Sequence, residues 1–286
     1  MGLLDWRVMT ESFRALCSDF YVNQKLSVKL DLPTGRETTL DLFERVRKQF
    51  GGMSSFKRYR DELALESGSG SEGPQRWLAV KNSNIRSGVV NPVDEGEAYG
   101  LHRAVLELAP FFLSISPLDI EYLEILYGFD LAAGGNQDAI VANALLGGSP
   151  LEGLLDVDRA LPVDFQPLIG LIVKEPVDAS AVLDESLGLA TEAGGGGESE
   201  NASRRSGAIE VHFEVKTRSS SASRGDGSGE PISVYATLRS YEPVRDLKDL
   251  PGALDRLGDE GRSLIEQRVL PCLVTPIREA IGSGGF

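Results

Sequence analysis

The sequence predicts an α+β protein, mainly antiparallel sheets with helices packed on one face. Three observations lead there. "AIEVHFEVKTR" (208–218) and "ISVYATLRSY" (232–241) alternate apolar and polar residues along their length, the period of a half-buried strand. "RWLAVKNSNIRSGVVNP" (76–92) reads as a hairpin turning at Asn82-Ser83-Asn84. Helical segments fall between groups of strands, not in the strict alternation of a doubly wound parallel sheet.

The elements follow in order. Residues 1–20 form an amphipathic helix, with Leu4, Val8, Phe13, Leu16 and Phe20 near one side. "VNQKLSVKLDL" (22–32) is a strand, with Val22, Gln24, Leu26, Val28, Leu30 and Leu32 on one face. "TLDLFERVRKQF" (39–50) is a helix striped by Leu40, Phe43, Val46 and Phe50 and ended by Gly51-Gly52. "SSFKRYRDE" (54–62) is expected to be a turn or short helix, and "ELALES" (62–67) a short strand. After the 76–92 hairpin comes a helix with Ala98, Leu101, Val105 and Leu108 on its apolar stripe, limited by Pro110. "LDIEYLEILYGFDL" (118–131) is apolar on both parities. It is therefore a central strand covered on both sides, or one that changes face at a bulge.

A helix capped by Asn136 and stopped at Gly147-Gly148, a short helix in "SPLEGLL" and a strand in "FQPLIGLIVKE" come next. The last segment starts a helix at Asp249-Leu250-Pro251 and carries Leu250, Leu254, Leu257, Leu264 and Ile265 on one side. Pro271 and Pro276 kink or divide it. The domain reading is a helix over 1–20, an α+β half over 21–133 and a second over 134–283. Apolar-poor insertions near 184–207 and 217–230 are expected to be disordered. The halves are loosely alike, each a sheet with a covering helix, but too dissimilar in sequence to define a repeat.

Composition narrows the function classes. The 286 residues carry 43 acidic and 29 basic side chains, a formal charge of -14. That charge repels phosphate backbones and anionic lipid surfaces, which disfavours nucleic acid as a partner. No apolar run is long enough for a membrane span. Asp5, Arg7, Glu11 and Arg14 interrupt what would be a signal core. Cys17 and Cys272 match no metal-ligand spacing and read as thiols of a reducing compartment. The expected location is cytoplasmic, with no membrane contact.

The search for chemistry returns little. No phosphate-binding loop or nucleophile elbow is present. His102 sits beside the apolar stripe of its helix and reads as structural. Asp119 and Glu121 share one strand face, as do Glu210, His212 and Glu214. The second set has ligand-type chemistry. Its outer members diverge by about 13 Å on a flat strand at roughly 3.3 Å per residue, so no metal site or cofactor is assigned. Lys25, Lys29, Lys57, Arg58, Arg60, Lys81 and Arg86, with Phe56 and Tyr59, are the only material for a nucleic-acid reading.

The binding-surface candidate is the polar face of the 208–241 hairpin: Glu210, His212, Glu214, Tyr235, Arg239 and Tyr241. Cross-strand ion pairs account for much of it, while aromatics and Arg on a flat polar face are what interaction hot spots use. The function expected is a non-catalytic module that contacts another protein. The alternatives are an enzyme of unrecognised type, with a pocket near His212, Glu214, Tyr235 and Arg239, and a nucleic-acid-associated factor.

The element order also resembles that of a family of uncharacterised bacterial proteins of similar length. The parts that match are "NQKLSVKLDL", "DLFERVRKQF", "RWLAVKNSNIRSGVV", "AYGLHRAVLELAPFFL", "IEYLEILYGF", "IEVHFEVKTR", "ISVYATLRSY" and the helix ending "TPIREAI". The resemblance implies the α+β fold. It implies no activity and assigns no functional residue.

Overall fold

A computed structural model describes residues 13, 15–32, 36–68, 70, 73–174, 208–217 and 230–283. Among the described residues nine strands form one antiparallel sheet in the order β2-β3-β4-β5-β1-β6-β9-β8-β7. They are β1 Asp19–Val28, β2 Met53–Tyr59, β3 Glu62–Ser67, β4 Gln75–Lys81, β5 Asn84–Val90, β6 Ile120–Leu131, β7 Leu168–Lys174, β8 Ala208–Lys216 and β9 Ile232–Ser240. The helices are α1 Arg36–Gln49, α2 Glu95–Phe112, α3 Gln137–Leu146, α4 Leu250–Leu264 and α5 Thr275–Gly282.

The order of strands explains the likeness of the halves. In the first, the opening strand β1 pairs with the last strand β5, and β4, β3 and β2 follow outward. In the second, β6 pairs with β9, and β8 and β7 follow outward. The opening strands β1 and β6 lie side by side at the centre, Gln24 opposite Ile125. The second group of strands thus opens with β6.

The helices cover one face. Helix α2 packs over β5 and β1, and α4 over β6 and β9. The covered face is the apolar parity of each strand: Phe20, Val22 and Leu26 of β1, Ile125, Tyr127 and Phe129 of β6, and Val234, Ala236 and Leu238 of β9 are buried. One core runs beneath the whole sheet and includes Leu101 and Val105 of α2 and Leu254 and Leu257 of α4. β6 is central, as its composition implies, but only its odd-numbered residues from Leu123 to Leu131 meet the helices. Its register with β1 shifts at a bulge between Ser27 and Val28, which lets Ile120 share the core as well.

Two expectations are corrected. Residues 53–59 form β2, an edge strand paired with β3 from Met53↔Ser67 to Tyr59↔Glu62, not a turn or helix. Long-range pairing overrides a local sequence dominated by charges. Pro110 limits α2 as expected: it stands in the last turn, and the helix ends at Phe112. In the last turn its missing N–H removes only one helical bond. Pro271 neither breaks nor separates the C-terminal helix. Residues Ile265–Val274 continue it in a π-helical winding, the Thr275 N–H reaching back to the Leu270 carbonyl. Of the amphipathic helix expected over 1–20, residues 1–12 and 14 lie outside the described residues, and Asp19 and Phe20 already belong to β1. The insertions expected near 184–207 and 217–230 fall outside too, save Thr217 and Glu230. No helix among the described residues is long and apolar enough to cross a membrane.

Candidate functional site

The face away from the helices carries the other parity of every strand. The register places Arg86, Lys25, Glu124, Arg239 and Glu210 in one row across β5, β1, β6, β9 and β8. Alternation puts these groups on the surface. Pairing of strands far apart in sequence puts them beside one another.

Arg239 organises the middle of the row. Its Nε and Nη2 lie 2.7 and 2.6 Å from Glu124 Oε2. Its Nη1 lies 3.4 Å from Glu210 Oε1 and 3.4 Å from the Tyr241 hydroxyl. Burial opposes the guanidinium charge, but Tyr241 and Glu124 outweigh it, and the net shift of Arg239 is upward. Its guanidinium carbon stands 4.9 Å from the centre of the Tyr122 ring. Lys25 Nζ approaches the same ring at 5.0 Å and donates to the Tyr122 hydroxyl at 2.5 Å. Tyr241 meets Tyr122 edge-on at 5.4 Å. The result is one tyrosine approached by two cations, Arg239 near its ring and Lys25 at its hydroxyl, with a second ring edge-on against it.

A second cluster lies further along β1, β6 and β9. Tyr21 and Tyr235 meet edge-on at 6.4 Å. The Tyr21 hydroxyl donates to Asp130 at 3.3 Å, and Ser233 donates to the same oxygen at 2.7 Å. Burial, then Tyr235 and Asp130, push the Tyr21 phenol well above its ordinary value, so it stays a neutral donor. The Tyr21 ring lies against the backbone of Gly128, where a Cβ would come within 2.2 Å of it. Lys216 stands 5.5 Å over the Tyr235 ring and 3.3 Å from Glu214.

Of the six expected surface residues, Glu210, Arg239 and Tyr241 come together with groups from β1 and β6. Tyr235 joins the Tyr21 cluster, and Glu214 turns to Lys216. His212 Nε2 stands 3.4 Å from Glu210, and its ring covers Gly170 of β7, whose added Cβ would lie 3.0 Å away. Glu210 and His212 thus contact each other, Glu210 shared with Arg239, while Glu214 turns away to Lys216. Among the described residues no three His, Cys, Asp or Glu side chains are grouped to hold a metal. Asp119 is not on a strand face with Glu121. It closes a capping box with Ser116, accepting from its N–H at 2.8 Å and its hydroxyl at 2.7 Å, which holds the Asp119 carboxyl below its ordinary value. Glu121 accepts from Ser27 at 3.0 Å.

Residues that sequence reasoning missed are Tyr122, Glu124 and Tyr21, and Lys25 as part of this row. The only signal was their parity on β1 and β6, opposite to the apolar one. Three depressions among the described residues are lined by side chains other than His212, Glu214, Tyr235 and Arg239. One of about 370 Å³ lies on the same sheet face, between Asn23, Lys25, Trp77, Lys81, Arg86 and Glu124. One of about 260 Å³ lies by Arg58 and Lys81, and one of about 550 Å³ by Glu242, Arg245 and Arg256.

Two of the seven cations named for a nucleic-acid reading are ion-paired, Arg86 with Glu62 and Lys57 with Glu66 at 2.6 Å, and Lys29 donates to the neutral Leu118 carbonyl at 2.9 Å. Fold and face together define an α+β protein with a single sheet, covered on one side by helices and bearing a charge-paired aromatic surface on the other. No protein-family model matches the chain, and no curated protein matches it either.

Proposed function

We propose that the protein is a non-catalytic interaction module that docks another protein on the helix-free face of its sheet, across β1, β6, β9 and β8. The observation that carries this reading is the Tyr122 cluster, with Lys25, Arg239 and Tyr241 around one ring. Interface centres are enriched in Tyr and Arg and depleted in unpaired charge. Here Glu124 and Glu210 are both already engaged by Arg239, so a partner meets aromatic surface beside carboxylates that have a partner of their own. The acidic balance of the chain and two cysteines that match no disulfide framework support a cytoplasmic setting.

The test compares the native chain with a Tyr235→Ala/Tyr241→Ala double variant as baits in the same native lysate. Both side chains are half-exposed, so the variant keeps its fold. Loss of two hot-spot tyrosines should weaken a specific partner by at least about tenfold, removing it from the variant's captured set. Identical sets for the two baits, or a consistently empty set for the native one, would sink the proposal.

Nucleic-acid association has one observation on its side, the depression that gathers Lys25, Lys81, Arg86 and Trp77. The charge of -14 and the Arg86–Glu62 pair make it the weaker reading.

A further inference from the structure

The two edges of the sheet differ. The β2 edge carries Lys57 and Arg58 and turns at Arg60, charges of the kind that block strand addition. The β7 edge, "LIGLIVK", carries only Lys174 at its end. Leu168 and Ile172 are 62% and 64% exposed on one face, Ile169 and Leu171 52% and 47% on the other. The strand is nevertheless held firmly, since Asp138, itself buried, accepts from Phe165 N–H at 3.0 Å just before it and from the Thr217 hydroxyl after β8.

The backbone of β7 is open in a definite pattern. The Val215 N–H donates to the Pro167 carbonyl at 3.0 Å. Hydrogen-bonded and non-bonded pairs alternate along an antiparallel ladder. From Pro167↔Val215 the bonded pairs are Ile169↔Phe213, Leu171↔Val211 and Val173↔Ile209. The backbone groups of Leu168, Gly170, Ile172 and Lys174 therefore point away from β8, toward the side where no described strand pairs.

We propose that β7 pairs antiparallel with β7 of a second copy, with Leu171 opposite Leu171 on the two-fold axis, joining two nine-stranded sheets into one. In that register Leu168 faces Lys174 of the second copy and Gly170 faces Ile172. Those are the four residues whose N–H and C=O groups point outward, so the ladder is fully bonded along the strand. Ile169, Leu171 and Val173 meet Val173, Leu171 and Ile169 on one face, which makes the apolar surface self-complementary. On the other face Lys174 of the second copy reaches across Leu168 toward Glu214, its neighbour in the β7–β8 register. The axis stands perpendicular to the sheet, so the two helix-free faces lie on the same side. The pairing itself does not rest on what those faces bind.

Sedimentation equilibrium of the full chain at micromolar concentrations should give a dimer. Leu168→Lys sets two like-charged pairs against Lys174 and should weaken dimerisation by about tenfold or more. Adding Lys174→Glu to that variant restores opposite charges in the same register and should restore the dimer. With Cys17 and Cys272 changed to Ser, Leu171→Cys should form a disulfide-linked dimer under mild oxidation, because its partner on the axis is itself. Ile169→Cys should not, because it faces Val173. A monomer at every concentration overturns the proposal, as does a dimer indifferent to Leu168→Lys or one that cross-links equally through position 169.

Discussion

Lowering the pH from 6.5 toward 3 should remove about 1.4 kcal/mol of stability per pH unit through His102 alone. The side chain is wholly buried between α2 and the sheet. Its Nδ1 lies 2.8 Å from the Ser87 hydroxyl, which donates to Gln24 Oε1 at 3.0 Å. The single hydroxyl proton of Ser87 is thus committed to Gln24, and Nδ1–H is the donor to Ser87. Burial pushes the imidazole down to about 3, with the backbone of Val22 pulling the other way. The ring of Tyr99 meets it edge-on at 6.3 Å, and Ser87 and Gln24 are neutral, so no charge stands ready to stabilise an imidazolium.

In the unfolded chain His102 takes a proton near its ordinary 6.5, while the folded chain refuses it until about 3. Between those values the unfolded state binds the extra proton, and acid favours unfolding. Above pH 6.5 the contribution is fully present. Urea unfolding of the native chain and of His102→Gln should separate this from carboxylate effects. At pH 7.5 the variant should be less stable by about 1–2 kcal/mol, from the lost hydrogen bond and packing. By pH 4.5 the native chain should have lost about 2.7 kcal/mol through His102, two pH units at about 1.36 each, which exceeds that difference, so the order of stability reverses. Parallel decline of both proteins would place the acid sensitivity elsewhere.

His102 also shows what the sequence made legible. Its position on α2 marked it as structural, and it is. It is not at a boundary, however, but wholly buried, because Gln24 and Ser87 bring polar groups to the covered face of β1 and β5. One strand's alternation does not disclose that the polar exceptions of three elements coincide. The β8–β9 hairpin was readable because helices bury one parity and leave the other, so Val211 and Leu238 are inside while Glu210 and Arg239 are on the surface, directly paired. β2 was not readable because an edge strand is half supported. Only Met53 in it is buried, and Lys57, Arg58 and Tyr59 leave no clear period. The make-up of the polar face was legible only in part for a similar reason. Glu210, Arg239 and Tyr241 could be found on one hairpin, but Lys25, Tyr122 and Glu124 reach them only through the β1–β6–β9 pairing, which local pattern does not encode.

The close docking of α4 on the sheet sets up the second large effect: Gly261→Val should destabilise the protein by about 3–5 kcal/mol. Gly258 and Gly261 are three apart on α4 and share its inner face. A Cβ on Gly258 would lie 2.7 Å from the Tyr99 hydroxyl, and one on Gly261 2.5 Å from Tyr127 Cε2. The two tyrosine hydroxyls are hydrogen-bonded to each other, and that of Tyr127 donates to the Gly258 carbonyl at 3.4 Å. Tyr127 is fully buried on the central strand and has no room to retreat. Val at 261 must therefore lift α4 or expel the ring, and either course overpacks the core and strands a buried hydroxyl.

Helix propensity works in the opposite direction, since Gly in a helix interior costs up to about 1 kcal/mol relative to Ala. Gly252 on the same helix supplies the contrast. It is exposed, and a Cβ there would meet nothing closer than Arg256 Nη1 at 4.0 Å. Gly252→Ala should stabilise by a few tenths to about 1 kcal/mol. Thermal and urea unfolding of the two variants should thus move in opposite directions. If Gly261→Val matched Gly252→Ala in sign, α4 would not be held against Tyr127, and the covered face of the sheet would be packed less closely than its glycines require.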